Sequence, residues 1–346
     1  MPSNSPSAFS GTSRRRWPDR RSSGAEGGFG VSAARAARYA QGMVGRTLHG
    51  FFDEQFLRCL ERLHLLAKRL AARAPVGARA SRRLGDGLEF ADHRDYAPGD
   101  DIRFLDWPYY ARMEKLLLRL FHQHSEADVS ILLDCSASMA PGGAGEKFDY
   151  ARRAAAALAY VAMGGLERVW IFPFSNTLGE PLRTGRNRGQ IVEVLEFLST
   201  LRPSGRTALR ACADRFVGAL SGEARRPGPV LLLGDLLDCG DELSDSLSRL
   251  QLAGCDVTVL HVFSPHDADP RLAGPVLLRH AEQDAQLSIQ ATKDVLNAYR
   301  AAWKAFATTC EHACLARGAT YVAAPTDAPL EQLILHAMRR AGVLGE

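Results

Sequence analysis

Neither a paired-cysteine pattern nor a membrane-length apolar run occurs in this chain of 346 residues. The cysteines at 59, 135, 212, 239, 255, 310 and 314 are odd in number and form no CxxC pair. That excludes the usual zinc frameworks and gives no extracellular disulfide pattern. They read as reduced, small apolar residues, with Cys310 and Cys314 sharing one helix face for packing. The longest wholly uncharged apolar stretch near a helix, 154–166, is too short to cross a bilayer. An arginine cluster at Arg14, Arg15 and Arg16 is followed by no apolar core, so no signal peptide is expected and the expected location is the cytoplasm. G-x-x-x-x-G-K-[ST] and G-x-G-x-x-G are both missing, which argues against an autonomous nucleotide enzyme. No internal repeat is evident.

What is present suits a globular protein, with 46% hydrophobic and 24% charged residues. The net charge of +4 is unevenly placed. Residues 1–50 hold eight arginines against Asp19 and Glu26, a balance of +6, which leaves about −2 for the other 296 residues. A nucleic-acid surface needs its charge on a folded face or groove. Here the charge lies in a segment rich in Ser, Gly, Pro and Arg, so residues 1–45 are expected to be a basic, disordered tail. Nucleic acid is not an expected partner.

An amphipathic helix is predicted over 53–74, with Phe56, Leu60, Leu63, Ala67 and Leu70 on one face, Asp53 as its cap and Pro75 beyond its end. Between 109 and 121 the pattern fits strand or helix equally. From 128 onward the alternation is clearer. Strands are predicted at 129–133, 169–174, 230–233, 256–263 and 320–324, and helices at 148–163, 188–201, 207–220, 241–252, 292–317 and 330–340. A small hairpin is expected from 276–280 and 285–289. This order implies an α/β, Rossmann-like fold with a mostly parallel central sheet flanked by helices, preceded by a helical and irregular or β segment. The expected division is 1–45 tail, 46–127 N-terminal region and 128–341 sheet domain.

The sharpest local signal is Asp134-Cys135-Ser136-Ala137-Ser138, directly after the apolar run Val129-Ser130-Ile131-Leu132-Leu133. A carboxylate and two hydroxyls on one tight loop are hard oxygen donors suited to Mg2+ or Mn2+. One loop cannot complete an octahedral shell. Thr207 could add a hydroxyl from a second loop, and Asp235, after Val230-Leu231-Leu232-Leu233-Gly234, a second carboxylate. Parallel sheets place ligands beyond the carboxyl ends of their strands, where both aspartates fall. A lone D-x-S-x-S is a weak signal, because Ser caps helices and Asp ends strands for ordinary structural reasons.

These residues, with Ser81-Arg82-Arg83, Gly85-Asp86-Gly87-Leu88-Glu89-Phe90 and the run DHRDYAPGDDIRFLD from Asp92 to Asp106, then Trp107 and Ala111-Arg112, resemble the bacterial DUF58 family. The C-terminal half of that family is similar to a von Willebrand factor type A domain. The resemblance implies that Asp134, Ser136, Ser138, Thr207 and Asp235 form a metal-ion-dependent adhesion site, some of them through water. It also implies a MoxR-type AAA+ ATPase as partner in chaperone-like assembly, and possibly a client protein supplying an acidic residue. One departure is Arg206, where related loops commonly carry glycine before the threonine. A cation there would either weaken the metal or pair with an incoming carboxylate.

The charged run from 92 to 106 reads as a structural network of Arg94, Asp100, Asp101, Arg103 and Asp106, with Pro98-Gly99 as a turn and Trp107 as an anchor to the sheet domain. His122 and His124 lack a third ligand to make a metal site. The competing functional reading is a magnesium-dependent phosphohydrolase. One such class uses an aspartate nucleophile and a second aspartate two residues later as acid; Ser136 cannot supply that acid. The sequence therefore favours a non-catalytic, metal-dependent protein-binding module.

Overall fold

The computed structural model describes residues 52–73, 84–97, 102–122, 128–140, 146–165, 167–185, 187–222, 227–237, 239–240 and 242–340. The expectations for the tail, for Pro75, for Ser81-Arg82-Arg83, for Pro98-Gly99, Asp100 and Asp101, and for His124 lie outside them. So do the side chains of Arg94, Arg103 and His122.

In chain order the helices are α1 (Glu54–Arg73), α2 (Trp107–Met113), α3 (Glu146–Gly164), α4 (Ile191–Thr200), α5 (Leu209–Gly222), α6 (Glu242–Leu252), α7 (Pro265–Ala268), α8 (Lys293–Ala316) and α9 (Leu330–Arg340). The strands are β1 (Leu84–Asp95), β2 (Leu117–His122), β3 (Val129–Asp134), β4 (Val169–Phe174), β5 (Leu182–Arg183), β6 (Pro229–Gly234), β7 (Asp256–Phe263), β8 (Gly274–Arg279), β9 (Gln286–Ala291) and β10 (Thr320–Pro325). The ambiguous stretch 109–121 contains both states, the end of α2 and most of β2. Asp106 starts α2 by accepting the Tyr109 N–H at 3.0 Å, and Glu114 ends it in the left-handed conformation.

Six strands make the central sheet in the order β10-β7-β6-β3-β4-β5, all parallel except the two-residue edge strand β5. Numbered by their place in this sheet, that is the doubly wound order 3-2-1-4-5-6, whose direction of winding reverses between β3 and β6. The mostly parallel, von Willebrand factor type A-like fold expected from the sequence is the one observed. Antiparallel pairs β1–β2 and β8–β9 form two separate small sheets.

The strands are buried on both faces, which is why they read as nearly continuous apolar runs. Ile131 and Leu133 of β3, with Leu231, Leu233, Leu260 and Val262, point into a core closed by α3, α4 and α9. Leu132, Phe172, Leu232 and Val259 point the other way, against Phe216 of α5, Leu247 of α6 and Cys310 and Cys314 of α8. The packing role expected of those two cysteines is the one they have. Helix α3 carries Ala154, Ala155, Ala156 and Ala157, all fully buried, so neighbouring elements approach this part of it closely on every side. Helix α1 belongs to this first core through Phe56, Leu60 and Leu63, and Asp53 caps it by accepting the Phe56 N–H at 2.8 Å.

Near α2 the sequence reading needs correction. Trp107 does not anchor the sheet domain: its side chain is 55% exposed and meets Tyr110 edge-on. Asp106 is engaged by His93 Nε2 at 2.8 Å and by the Tyr109 N–H at the start of α2.

Candidate functional site

Asp134 is the last residue of β3 and Asp235 the first after β6, and these neighbouring strands run in register from Ser130↔Val230 to Leu133↔Leu233. The two carboxylates thus flank the point where the winding reverses, the crevice in which such sheets place ligands. Gly234 makes their approach possible. A Cβ there would lie 2.9 Å from both Cβ and Oδ2 of Asp134, closer than carbon and oxygen tolerate.

Beyond Asp134 the chain tightens into an Asx-type turn, with the Ser136 N–H donated to Asp134 Oδ1 at 2.8 Å. A short 3-10 turn over Ala137–Met139 then brings the Ser138 hydroxyl to 2.9 Å from that of Ser136. The second loop is bound to the first by its backbone. Ser204 N–H donates to Cys135 O at 2.7 Å, and Ala137 N–H to Gly205 O at 2.9 Å. Gly205 takes the left-handed conformation at φ +80°, and the next N–H, of Arg206, is donated to Asn176 Oδ1 in the loop after β4. The left-handed position thus falls to glycine, and Arg206 occupies an ordinary, exposed one. This arrangement delivers Thr207 to the mouth of the crevice.

Two groups that sequence reasoning missed complete the site. Lys147, at the start of α3, is 1% exposed and places Nζ 2.8 Å from Asp235 Oδ2 and 3.4 Å from Asp267 Oδ2. Glu282, in the turn between β8 and β9, accepts the Thr207 N–H through Oε2 and the Thr207 hydroxyl through Oε1, both at 2.9 Å. A lysine in a helical first turn and a glutamate in a polar turn ordinarily read as solvated surface, and no motif marks either. The five sequence-predicted residues meet at one strand edge. Thr207 joins the rest through backbone pairing of its loop and through Glu282.

The electrostatics are those of an acid-rich, enclosed centre. Burial, then the charge of Asp235, pushes the Asp134 carboxyl up to about 7, against the hydrogen bonds from Ser136. Burial also opposes the charge on Glu282, yet the Thr207 N–H and the hydroxyls of Ser138, Thr207 and Ser136 hold its carboxyl below the usual value. Lys147 offsets Asp235 but is itself shared with Asp267. Burial, then Asp134, pushes the Cys135 thiol up to about 12, which removes it as a nucleophile near neutrality. Among the described residues no three or more His, Cys, Asp or Glu side chains form a metal-holding group of their own. The five sequence-predicted residues would offer two carboxylates and three hydroxyls. Such hard oxygen donors fit Mg2+ or Mn2+, and a cation beside Asp134 would relieve the cost of burying its charge. No described helix is long and apolar enough to cross a membrane.

Comparison with known proteins gives relatives without an assigned activity. Uncharacterised proteins of Mycobacterium tuberculosis and Mycobacterium bovis are each 30% identical over 201 residues, 57% of this chain and 62% of theirs. The match thus spans less than two thirds of those relatives. Among solved structures, conserved hypothetical protein BatB of Bacteroides thetaiotaomicron aligns over 63% of this chain and 99% of its own at 12% identity and a TM-score of 0.39. An aerotolerance-related membrane protein of Bacteroides fragilis aligns over 63% and 100% at 15% identity and a TM-score of 0.41. The profile of the family described as "Protein of unknown function DUF58" matches residues 92–310, well over half of the sequence and inclusive of the whole site. The chain belongs to the DUF58 family.

Proposed function

We propose that this protein is a non-catalytic, divalent-metal-dependent protein-binding module that accepts an acidic side chain from its partner. The observation that carries the reading is the convergence at one strand edge of buried Asp134 and Asp235 with the paired hydroxyls of Ser136 and Ser138 and a Thr207 hydroxyl that already holds a carboxylate. Asp134, Ser136, Ser138 and Thr207 would hold the ion. Asp235, paired to Lys147, would act through water. The bound ion would supply positive charge to a partner carboxylate. The protein supplies the fixed loops, the hydroxyl donors and a crevice that limits access of solvent. Against hydrolysis stands Ser136, two residues after Asp134, its hydroxyl turned to Ser138 where an acid would be needed.

The finer reading takes the partner to be a MoxR-type AAA+ ATPase in chaperone-like assembly, with a client protein as a second source of the acidic residue. Family resemblance supports the partner class, and the site supplies the chemistry. Pull-down of a co-occurring MoxR-type ATPase in Mg2+ and in chelator tests it, with wild type beside Ser136→Ala/Ser138→Ala and Asp235→Ala. Metal-dependent capture that the variants lose is expected. Tight capture indifferent to chelator and to every variant would refute bridging through the ion.

A further inference from the structure

The β8–β9 hairpin forms a sheet separate from the central one, and its turn, 281–284, reaches the crevice. There Glu282 donates its N–H to His280 Nδ1 at 3.1 Å, which stiffens the turn, and directs its carboxylate at Thr207. The hydroxyls of Ser136 and Ser138 lie near enough to favour its charge. Thus one carboxylate holds Thr207 at two points, beside the other two hydroxyls that the sequence assigns to the site. Asp134 and Asp235 are rooted at the ends of central strands and are fully buried, whereas Glu282 is half-buried with exposed neighbours on both sides. The strands behind it bury little. Leu277, Leu278 and Leu287 are exposed, and of the six residues of β9 only Ala291 is buried. Moving this tip away therefore disrupts few core contacts, unlike moving Asp134 or Asp235.

We propose that Glu282 is a built-in acidic ligand, holding from within the chain the position that a partner's Asp or Glu takes, and that the partner binds by displacing it. This rests on reading the site as a carboxylate-accepting metal centre. A carboxylate tethered by a short turn competes at an effective concentration on the order of millimolar. A weak free carboxylate cannot outcompete it. A partner that adds packing contacts around the crevice can, so the tether filters ligands by the size of their interface. Glu282 is a binding-site residue in this account, and the hairpin is the arm that carries it.

The test uses the full chain with Mn2+ as the ion and propionate as a mimic of a glutamate side chain. Mn2+ affinity is read from the electron-spin signal of the free ion, and ligand access from the water-proton relaxivity of the bound ion. Wild type is compared with Asp134→Ala, Glu282→Ala and the shape-preserving Glu282→Gln. Asp134→Ala is expected to lose affinity beyond about a hundredfold, and the two Glu282 variants no more than about tenfold. Both Glu282 variants should also bind propionate roughly tenfold more tightly than wild type, as removal of a competitor that fills about nine-tenths of the sites requires. Equal propionate binding in wild type and both variants would overturn the proposal, and so would loss of Mn2+ in them as complete as in Asp134→Ala. Those results leave the metal reading standing. A wild-type chain that takes up no Mn2+ overturns both.

Discussion

At the scale of single residues, one glycine sets how closely Asp134 lies to the neighbouring strand, and one buried histidine ties stability to pH. Gly234 lets the Asp134 carboxylate lie against β6, and a methyl group there would meet it at 2.9 Å. Gly234→Ala should therefore destabilise the fold by about 1–3 kcal/mol, as overpacking of an interior does, and weaken Mg2+ binding as Asp134 shifts. Urea denaturation and metal titration of the purified variant would check both. His261 on β7 is fully buried, with Nδ1 2.7 Å from the Tyr321 hydroxyl and Phe263, Trp303 and Phe306 around its ring. Burial drives its pKa from 6.5 down to about 4, although Asp235 and Asp267 pull upward; Lys147 pushes the same way as burial. The folded state thus disfavours the imidazolium that the unfolded chain forms freely. The stability from neutral His261 is complete above pH 6.5 and is lost as pH falls toward 4, by up to about 3 kcal/mol. His261→Gln should remove this contribution, so the wild-type and variant denaturation midpoints should converge or cross between pH 7 and 4. Parallel pH profiles would contradict it.

Among the elements, those with a strong period were legible in sequence. Strands β4 and β7 and helix α9 lie where the apolar pattern put them, because each packs apolar residues at its own period into a core. The stretch 109–121 was not legible, since α2 and β2 share it and α2 has no buried residue to impose a helical period. Asp134, Ser136, Ser138, Thr207 and Asp235 stand out in the sequence because strand ends and loop hydroxyls leave a local pattern. Lys147 and Glu282 reach the same crevice from a helix and a hairpin distant in sequence, and their roles depend on tertiary placement alone. Helix α1 lies in the expected N-terminal region 46–127, and its Leu63 is fully buried in the core shared with α3 and α9. Leu63→Ala should cost about 2–5 kcal/mol in a single cooperative transition seen equally by fluorescence and circular dichroism. A loss below about 0.5 kcal/mol would show that α1 adds little to that core.

For the molecule as a whole, the fold gathers negative charge at the reversal of its sheet and supplies one buried lysine against it. A cation bound there in the native state alone should raise stability, by about 2.7 kcal/mol at a hundred times the dissociation constant. The most direct test is calorimetric titration of Mg2+ into wild type and Asp134→Ala, with circular dichroism of both. The account predicts one bound Mg2+ in wild type and none in a variant that keeps its secondary structure. Equal Mg2+ binding by a folded Asp134→Ala chain, or no binding by wild type, would contradict it.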